Sequence, residues 1–562
     1  MAVTRHEVRS GAYFDSVVLM QLQKALAELP GVRDAGVVMA TPANCELLTA
    51  SGFALETIAA GPDDLLIMVT ADDEGTATGA IAQVDELLRR RRSAGAAQSF
   101  HPRSLTTAAQ QLPAARWVLV SVPGRYAASV AEEALELGKH VFLYSDNVPL
   151  DDEVRLKQKA REKGLLLMGP DCGTAIVNGV GLGFANRVRR GPIGLVAASG
   201  TGLQAITVAI HNQGGGVSQA LGTGGRDLKA EVGGISTLQA LDLLRRDPQT
   251  EVVVLVSKPP DPAVARQVLG AALHAQKPVV VCYLGYAPPA RRLGDLYFAA
   301  GLEDAAKLAA GLSQQPAPPE TSITRNIAGG YMRGLFSGGT LAYEALLALQ
   351  ELLQPLYSNV ATRPEQRLAD SFRSQGHTIV DLGEDEFTQG RLHPMMDNDL
   401  RLRRLQQEAA DPETGLILLD VVLGEGAHPD PSAELAPAIR KTLQQRDDLE
   451  IAALLVGTDG DPQGVDLQAE RLHESGASVF HSSAEALAYV ARRLAPAPTP
   501  PASELPLADF QGELAAINVG LESFYDSLQG QGATAVQVAW RPPAGGNEKL
   551  MGILARMKRD RH

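Results

Sequence analysis

Along almost the whole chain, short apolar runs alternate with longer stretches whose apolar positions recur at helical spacing, the pattern of strands and helices taken in turn. From Val3 to about Arg92 it reads as strand and then helix, three times over. Val17, Val18, Leu22, Ala25, Leu26 and Leu29 share one face of a helix from Asp15 to Leu29 that Pro30-Gly31 ends, and strands follow near Ala35–Met39 and Leu65–Val69. Residues 1–93 therefore form a small N-terminal α/β unit, and the polar stretch from Arg92 to Pro113 is a linker or long loop. From Trp117 the alternation becomes strict, with strands at Trp117–Val122, His140–Tyr144 and Leu165–Met168 and helices at Tyr126–Leu137 and Asp151–Lys163. Short strands separated by single helices predict a doubly wound parallel sheet, here assigned to residues 114–190.

A third unit, residues 191–315, opens with Gly191-Pro-Ile-Gly-Leu-Val-Ala-Ala-Ser-Gly-Thr-Gly-Leu-Gln-Ala-Ile206, an apolar run that ends in Ser199-Gly200-Thr201-Gly202 and passes into a helix. The Gln/Pro-rich tract Ser313–Pro319 separates it from a fourth, residues 327–495, where the theme returns as Gly334-Leu-Phe-Ser337-Gly338-Gly339-Thr340-Leu-Ala-Tyr-Glu344. The segments Arg246–Val256 and Ala410–Asp420 also match, each an Asp-Pro-x-Thr turn leading into an apolar strand. Two similar halves are the economical reading. Pro496, Pro498, Pro500 and Pro501 then stiffen a connector to a C-terminal appendage, residues 502–562, read as β-α-β-α with its last helix at Glu548–Met557.

With 562 residues the chain is too long for one core. A net charge of -14 and only 4% aromatic residues argue against nucleic acid or an anionic membrane surface as partner. No run approaches the ~20 apolar residues a bilayer requires, and the N-terminus has no secretory core, so the chain is read as cytoplasmic. Cys45, Cys172 and Cys282 are isolated, and no histidine spacing suits a metal, so none is assigned.

The chemistry gathers at the glycine turns. Where a strand turns into a helix through glycines, bare N–H groups and the helix's positive end meet, which suits an anion. Ser199, Gly200, Thr201 and Gly202, with Ser337, Gly338, Gly339 and Thr340, form two such turns that could face each other across a pseudo-two-fold axis; the same glycines also permit close helix–strand packing. Arg391 and His393 lie in the polar stretch Asp381–Asp397, and Arg226 in the matching loop Gly222–Asp227. An arginine there can grip a carboxylate, and a histidine can move a proton or accept a phosphoryl or acyl group; solvated loop charges are the other reading. Asp171, Cys172 and Gly173, in the loop Gly169–Thr174, follow a strand's carboxyl end, where open α/β sheets hold ligands, and are assigned to cofactor binding; a cysteine there also serves as a small buried hydrophobe.

With these residues on the page, the chain resembles the succinyl-CoA synthetase superfamily and, over nearly its full length, the FdrA family within it. The resemblance rests on Gly11-Ala-Tyr-Phe-Asp15-Ser16-Val-Val-Leu-Met20, Gly169–Thr174, Ala198–Gly202, Gly222–Ile235, Ser257-Lys-Pro-Pro260 and Asp381–Asp397. It implies an α/β fold with a Rossmann-like CoA-binding-type domain and two duplicated flavodoxin-like domains whose helix N-termini bracket a phosphohistidine. Three departures stand out. Asp295 takes the histidine's place, no glycine-rich turn precedes Trp117, and no stretch offers room for an ATP-grasp domain.

The FdrA resemblance implies carbamoyl transfer in purine (allantoin) breakdown, with carbamoyl phosphate and oxamate exchanging with oxalurate and phosphate in company with companion subunits. Small anionic substrates, an oligomer, and CoA or phosphate as substrate follow from the same resemblance, and no resident cofactor is assigned. The alternatives are an acyl-CoA synthetase subunit that needs an ATP-grasp partner and uses His393, and a non-catalytic regulator or scaffold that binds an anion.

Overall fold

The computed structural model describes residues 2–10, 16–55, 58–61, 64–93, 101–286, 288, 290–315, 330–495 and 503–542. The run Gly11–Asp15, the end of the Gln/Pro-rich tract, the proline connector and the helix expected at Glu548–Met557 lie outside the described residues. The chain divides into two compact units, residues 1–171 with 512–562, and residues 172–511.

In the first unit, β1 (Val3–Arg9), β2 (Val32–Met39) and β3 (Leu65–Ala71) form an antiparallel sheet in the order β1-β3-β2. Alternation along β3 serves two cores. Leu65, Ile67 and Val69 pack on Leu19, Leu22 and Leu26 of the helix Ser16–Ala27, while Leu66 and Met68 pack on Leu48 and Phe53. Further along, β4 (Trp117–Val120), β5 (His140–Leu143) and β6 (Leu167–Met168) run parallel and are buried throughout. Buried on both faces, they read as continuous apolar runs.

The second unit holds the duplication. Its first sheet contains β7 (Thr174–Val177), β8 (Val180–Gly183), β9 (Arg190–Ala197), β10 (Val217–Gly222), β11 (Val252–Ser257), β12 (Val279–Tyr283), β13 (Arg292–Leu293) and β14 (Leu296–Phe298). The parallel strands follow the order β10-β9-β11-β12-β14. Its second sheet contains β15 (Tyr331–Phe336), β16 (Leu356–Ser358), β17 (His377–Asp381), β18 (Thr414–Val422), β19 (Glu450–Val456) and β20 (Ser478–Phe480). There the order is β17-β15-β18-β19-β20, with β16 outside β17. Both are the 2-1-3-4-5 order of flavodoxin-like sheets, in which ligands bind where the order reverses, beside the first and third strands. The Asp-Pro-x-Thr turns also coincide, since Thr250 N donates to Asp247 O and Thr414 N to Asp411 O, each at 3.1 Å.

The C-terminal stretch departs from the sequence reading. Residues 502–562 were expected as an appendage of their own. Instead β21 (Ala515–Val519) and β22 (Thr534–Val538) complete the first unit's parallel sheet, in the order β22-β21-β4-β5-β6. The reason is burial: β4 presents apolar residues on both faces and would be a naked edge alone, and Ala516, Ile517 and Val519 cover it. The strand–helix–strand that a doubly wound domain normally places first is thus supplied by the chain's far end, which is why no glycine turn precedes Trp117. Two boundaries shift as well. The hairpin β7–β8, expected with residues 114–190, joins β10 of the second unit, and residues 503–511 dock there through Gln219 Nε2, which donates to Phe510 O at 2.8 Å.

Candidate functional site

The two glycine turns occupy equivalent places, each after the first strand of its sheet, but their chemistry differs. At the first, Ser199 caps the helix Gly200–Asn212 with extended backbone, and its Oγ accepts from Gly202 N at 3.2 Å. Gly202 is required because a Cβ would stand 2.7 Å from that Oγ. The amides of Gly200 and Thr201 precede the first intrahelical bond, from Leu203 N to Ser199 O. Facing them is the loop before β7: Gly173 N and Cα lie 3.6 Å, and Thr174 Oγ1 3.9 Å, from where a Gly200 Cβ would be. Thr174 is 1% exposed, and among the described residues its Oγ1 has no hydrogen-bond partner. A buried hydroxyl without a partner costs free energy, and this one lies near Gly200 at the start of a helix, where N–H groups suit an anion's oxygens.

At the second turn protein carboxylates take that role. Ser337 N donates to Asp420 Oδ1 and Oδ2 at 2.9 and 3.0 Å, and Ser337 Oγ to Oδ2 at 2.8 Å. Asp420 is fully buried on β18 and paired with Arg401, which also bonds its carbonyl. A second carboxylate, Asp381 Oδ2, lies 3.0 Å from where a Gly339 Cβ would be, against the mouth of the helix Gly339–Leu349, and Met395 Cε covers Gly338. Thr340 lies in that helix's first turn, exposed. In the first half the residue matching Asp420 is Val256, whose Cγ1 stands behind Gly202. One substitution on the third strand therefore makes the two turns unequal: behind the first stands the apolar Val256, and behind the second stands Asp420, which accepts from Ser337.

Around the second turn, His393 Nε2 and Asp381 Oδ1 come within 2.9 and 3.0 Å of one point, the position a Cβ on Gly383 would take, and Ser337 O approaches it too. Gly383 N donates to Asp381 Oδ1 at 2.8 Å, and His393 Nδ1 accepts from Met395 N at 3.3 Å. Burial holds the Asp381 carboxyl above the usual range, against the pull of the Gly383 amide and of His393. Arg391 is exposed in the same loop. Arg226 is half-buried in the loop after β10, and its neighbour Asp227 is spent on structure, accepting from Thr237 N and Oγ1 at 2.9 and 2.6 Å.

The residues assigned to cofactor binding part company. Gly173 faces the first turn. Cys172 is buried, its Sγ pressed on Gly222 and bonded to Thr174 O, so it is a packing group rather than a ligand contact. Asp171 N donates to Ser145 O within the first unit. Asp295, at the superfamily's histidine position, sits in the turn between β13 and β14. Thr174, Asp381, Asp420 and Arg401 were not singled out from sequence. The readable clue was an aspartate interrupting an apolar strand exactly where its repeat has valine.

CoA, the ligand the superfamily implies, fits poorly at the first unit's switch point, between β21 and β4. Phe524 is 4% exposed and reaches past β4 to meet Tyr144 edge-on, with ring centroids 4.9 Å apart. Leu521 N bonds Ser121 Oγ at 2.8 Å, and a Cβ on Gly520 would collide with Ser121.

A family described as CoA-ligase matches residues 335–493, and one described as AllF, heavy metal-associated domain, matches residues 1–103. The donors of that second stretch do not fit a heavy metal: Cys45 is its sole cysteine and packs beside Leu48 and Phe53, and among the described residues no three metal-binding side chains gather. The chain is 32% identical over 188 residues to a succinate–CoA ligase [ADP-forming] subunit alpha-2 of Trichomonas vaginalis and 30% over 181 residues to a subunit alpha 1 of Archaeoglobus fulgidus, spanning 59% and 60% of their lengths. A solved acetyl-coenzyme A synthetase of Ca. Korarchaeum cryptofilum aligns over 67% of this chain and 81% of its own, at 15% identity and a TM-score of 0.29. Duplicated flavodoxin-like sheets with a Rossmann-like domain, the CoA-ligase match and the two ligase α subunits define a protein of the succinyl-CoA synthetase superfamily. With protein YahF of Escherichia coli (strain K12), to which it is 41% identical over 493 residues, covering 85% of this chain and 96% of YahF, it belongs to the FdrA family. Among the described residues no helix is long and apolar enough to cross a membrane.

Proposed function

We propose that this chain is the FdrA-type subunit of an acyl- or carbamoyl-group transferase, exchanging oxalurate and phosphate with oxamate and carbamoyl phosphate together with companion subunits in the cytoplasm. The observation that carries this reading is the first turn, where the buried, unpartnered Thr174 hydroxyl lies near Gly200 at the start of a helix. Phosphate, or the phosphoryl end of carbamoyl phosphate, is held there, with Arg226 in reach of the same sheet edge. Such preorganised donors stabilise charge on an oxyanion without reorganising during reaction. His393 and Arg391 serve proton transfer and carboxylate binding at the other turn. The test is incubation of the chain and its companion subunits with oxalurate and phosphate: carbamoyl phosphate is the expected product, and its absence under every subunit combination overturns the substrate assignment.

A second reading, a CoA ligase subunit phosphorylated on His393 with an ATP-grasp partner, is favoured by the ligase α subunits among its relatives. Against it, His393 Nδ1 accepts the Met395 amide, which leaves the neutral ring's proton on Nε2, the atom facing Asp381, so that atom offers no lone pair. Acid-labile label from ATP that vanishes in His393→Gln would support it.

A further inference from the structure

We propose that Lys258 supplies the counter-charge of the first turn, making it a site for a doubly charged phosphoryl group in preference to a single carboxylate. The inference rests on the reading that phosphate is held at that turn. It names a residue that the CoA-ligase match, over residues 335–493, does not reach.

Strand register carries the argument. β11 runs parallel to β9 with Val256 level with Ala197, and Ala198 N donates to Val256 O at 3.0 Å. Continued by two residues, that register brings Lys258 level with Ser199, the cap of the helix Gly200–Asn212. β12 holds β11 from the other side as far as its last residue, since Leu284 N donates to Ser257 O at 2.8 Å. Alternate residues of a strand share a face. Val256 is on the face of this helix, its Cγ1 3.4 Å from where a Gly202 Cβ would be, so Ser257 belongs to the other face and Lys258 returns to the first. The chain bends at Lys258 to leave the sheet, and Pro259 keeps that residue out of helical backbone, which preserves the alternation. Neighbouring strands lie about 4.8 Å apart, a gap that lysine's four-carbon stem spans.

The charge is available there. Lys258 is exposed, and among the described residues no ion pair or hydrogen bond engages its ammonium. Two acids of the neighbouring loops are spent elsewhere: Asp261 caps the helix Pro262–Leu273, accepting from Ala263 N at 2.9 Å, and Asp227 holds Thr237. The start of a helix carries about half a positive charge, and the Thr174 hydroxyl can donate one hydrogen bond. Neither balances a second negative charge, and a lysine does.

The duplication supplies the comparison. On the Asp-Pro-x-Thr match, Val256 corresponds to Asp420 and Lys258 to Val422. The third strand thus offers an apolar residue and then a cation at the first turn, but an acid and then an apolar residue at the second. Both differences favour an anion at the first turn over the second.

The test uses the full chain and inorganic phosphate, without turnover. Calorimetry is expected to show phosphate binding to wild type, roughly tenfold weaker binding to Lys258→Met, as for a lost hydrogen bond to a charged group, and near wild-type binding to Lys258→Arg. An amine-acylating reagent, read by mass spectrometry, should modify Lys258 several times more slowly when phosphate is present, while the exposed Lys229 reacts at one rate throughout. Thr174→Val should remove most of that protection at the same phosphate concentration. Acetate should give none, and equal protection by acetate overturns the charge class. If Lys258→Met binds phosphate as wild type does while Thr174→Val binds it weakly, or if phosphate leaves the labelling of Lys258 unchanged, the lysine falls and the phosphate reading stands. If wild type binds no phosphate, both fall.

Discussion

Leu521 N donates to Ser121 Oγ at 2.8 Å, a bond between residues 400 positions apart that ties the turn after β21 to the end of β4. It marks where the first unit's sheet is closed by the other end of the chain. Ser121→Ala leaves the buried Leu521 amide without its partner and is expected to cost about 1–3 kcal/mol. Deleting residues 512–562 goes further, since it uncovers the apolar edge of β4, and an aggregating chain without the near-ultraviolet signature of buried Trp117 is expected. A truncated chain that stays soluble with an unchanged melting temperature would show that β21 and β22 are dispensable.

The first turn makes a prediction that separates it from the second. Thr174→Val removes the hydroxyl and keeps the shape, so phosphate affinity should drop roughly tenfold or more by calorimetry, as for a lost hydrogen bond to a charged group. Gly200→Asp sets a carboxylate at the same helix end and should abolish binding with the melting temperature nearly unchanged, because a Cβ on Gly200 meets its nearest neighbour, Gly173, only in ordinary contact at 3.6 Å. At the second turn Gly338→Asp should leave phosphate binding as it was, since Asp381 and Asp420 already set carboxylates beside that turn and repel an anion. Equal losses at both turns would restore the symmetrical cradle expected from sequence.

The architecture was legible where periodicity is local. Apolar runs located β4, β9, β11, β15 and β18, and the repeated turn and Asp-Pro-x-Thr corner gave the duplication before any coordinates. What stayed hidden is non-local. Nothing in Ala515–Val538 says which sheet it joins, because a buried parallel strand reads the same in any sheet. The site was half visible for a similar reason: glycines and Ser199 announce a turn, but the carboxylate that meets Ser337 belongs to Asp420, 83 residues beyond it. Thr174 stood inside a quoted motif, yet its missing hydrogen bond is a property of three dimensions only.

His377 gives the acid limb of stability. Burial, helped by Arg333, lowers its pKa from 6.5 to about 4, and its Nδ1 accepts from Met332 N at 3.0 Å. The folded state thus binds a proton less readily than the unfolded chain. The contribution, about 3 kcal/mol, is fully present above pH 6.5 and is lost as pH falls from there toward 4. Denaturant midpoints between pH 7 and pH 4.5 should fall in wild type and fall less in His377→Asn, which lacks the titrating ring. Parallel slopes in the two proteins would exclude His377 as the cause.

The three thiols should react in an order set by burial. Thiolate is the reactive form, and a thiol with no access to water neither ionises nor meets reagent. Cys45 is half-buried; Cys172 and Cys282 are buried, and burial pushes the Cys282 thiol up to about 11. Iodoacetamide at pH 8 should therefore label Cys45 first, with the other two protected until the chain unfolds, as mass spectrometry of timed digests would read. The same burial argues against Cys172 as a ligand contact. Its Sγ lies where a Gly222 Cβ would go, so Gly222→Ala should destabilise the second unit, and Cys172→Ala should relieve only part of that strain because Thr174 O crowds the same space. Rapid labelling of Cys172 in the folded chain would instead mean that the loop before β7 opens, and would return that cysteine to the site.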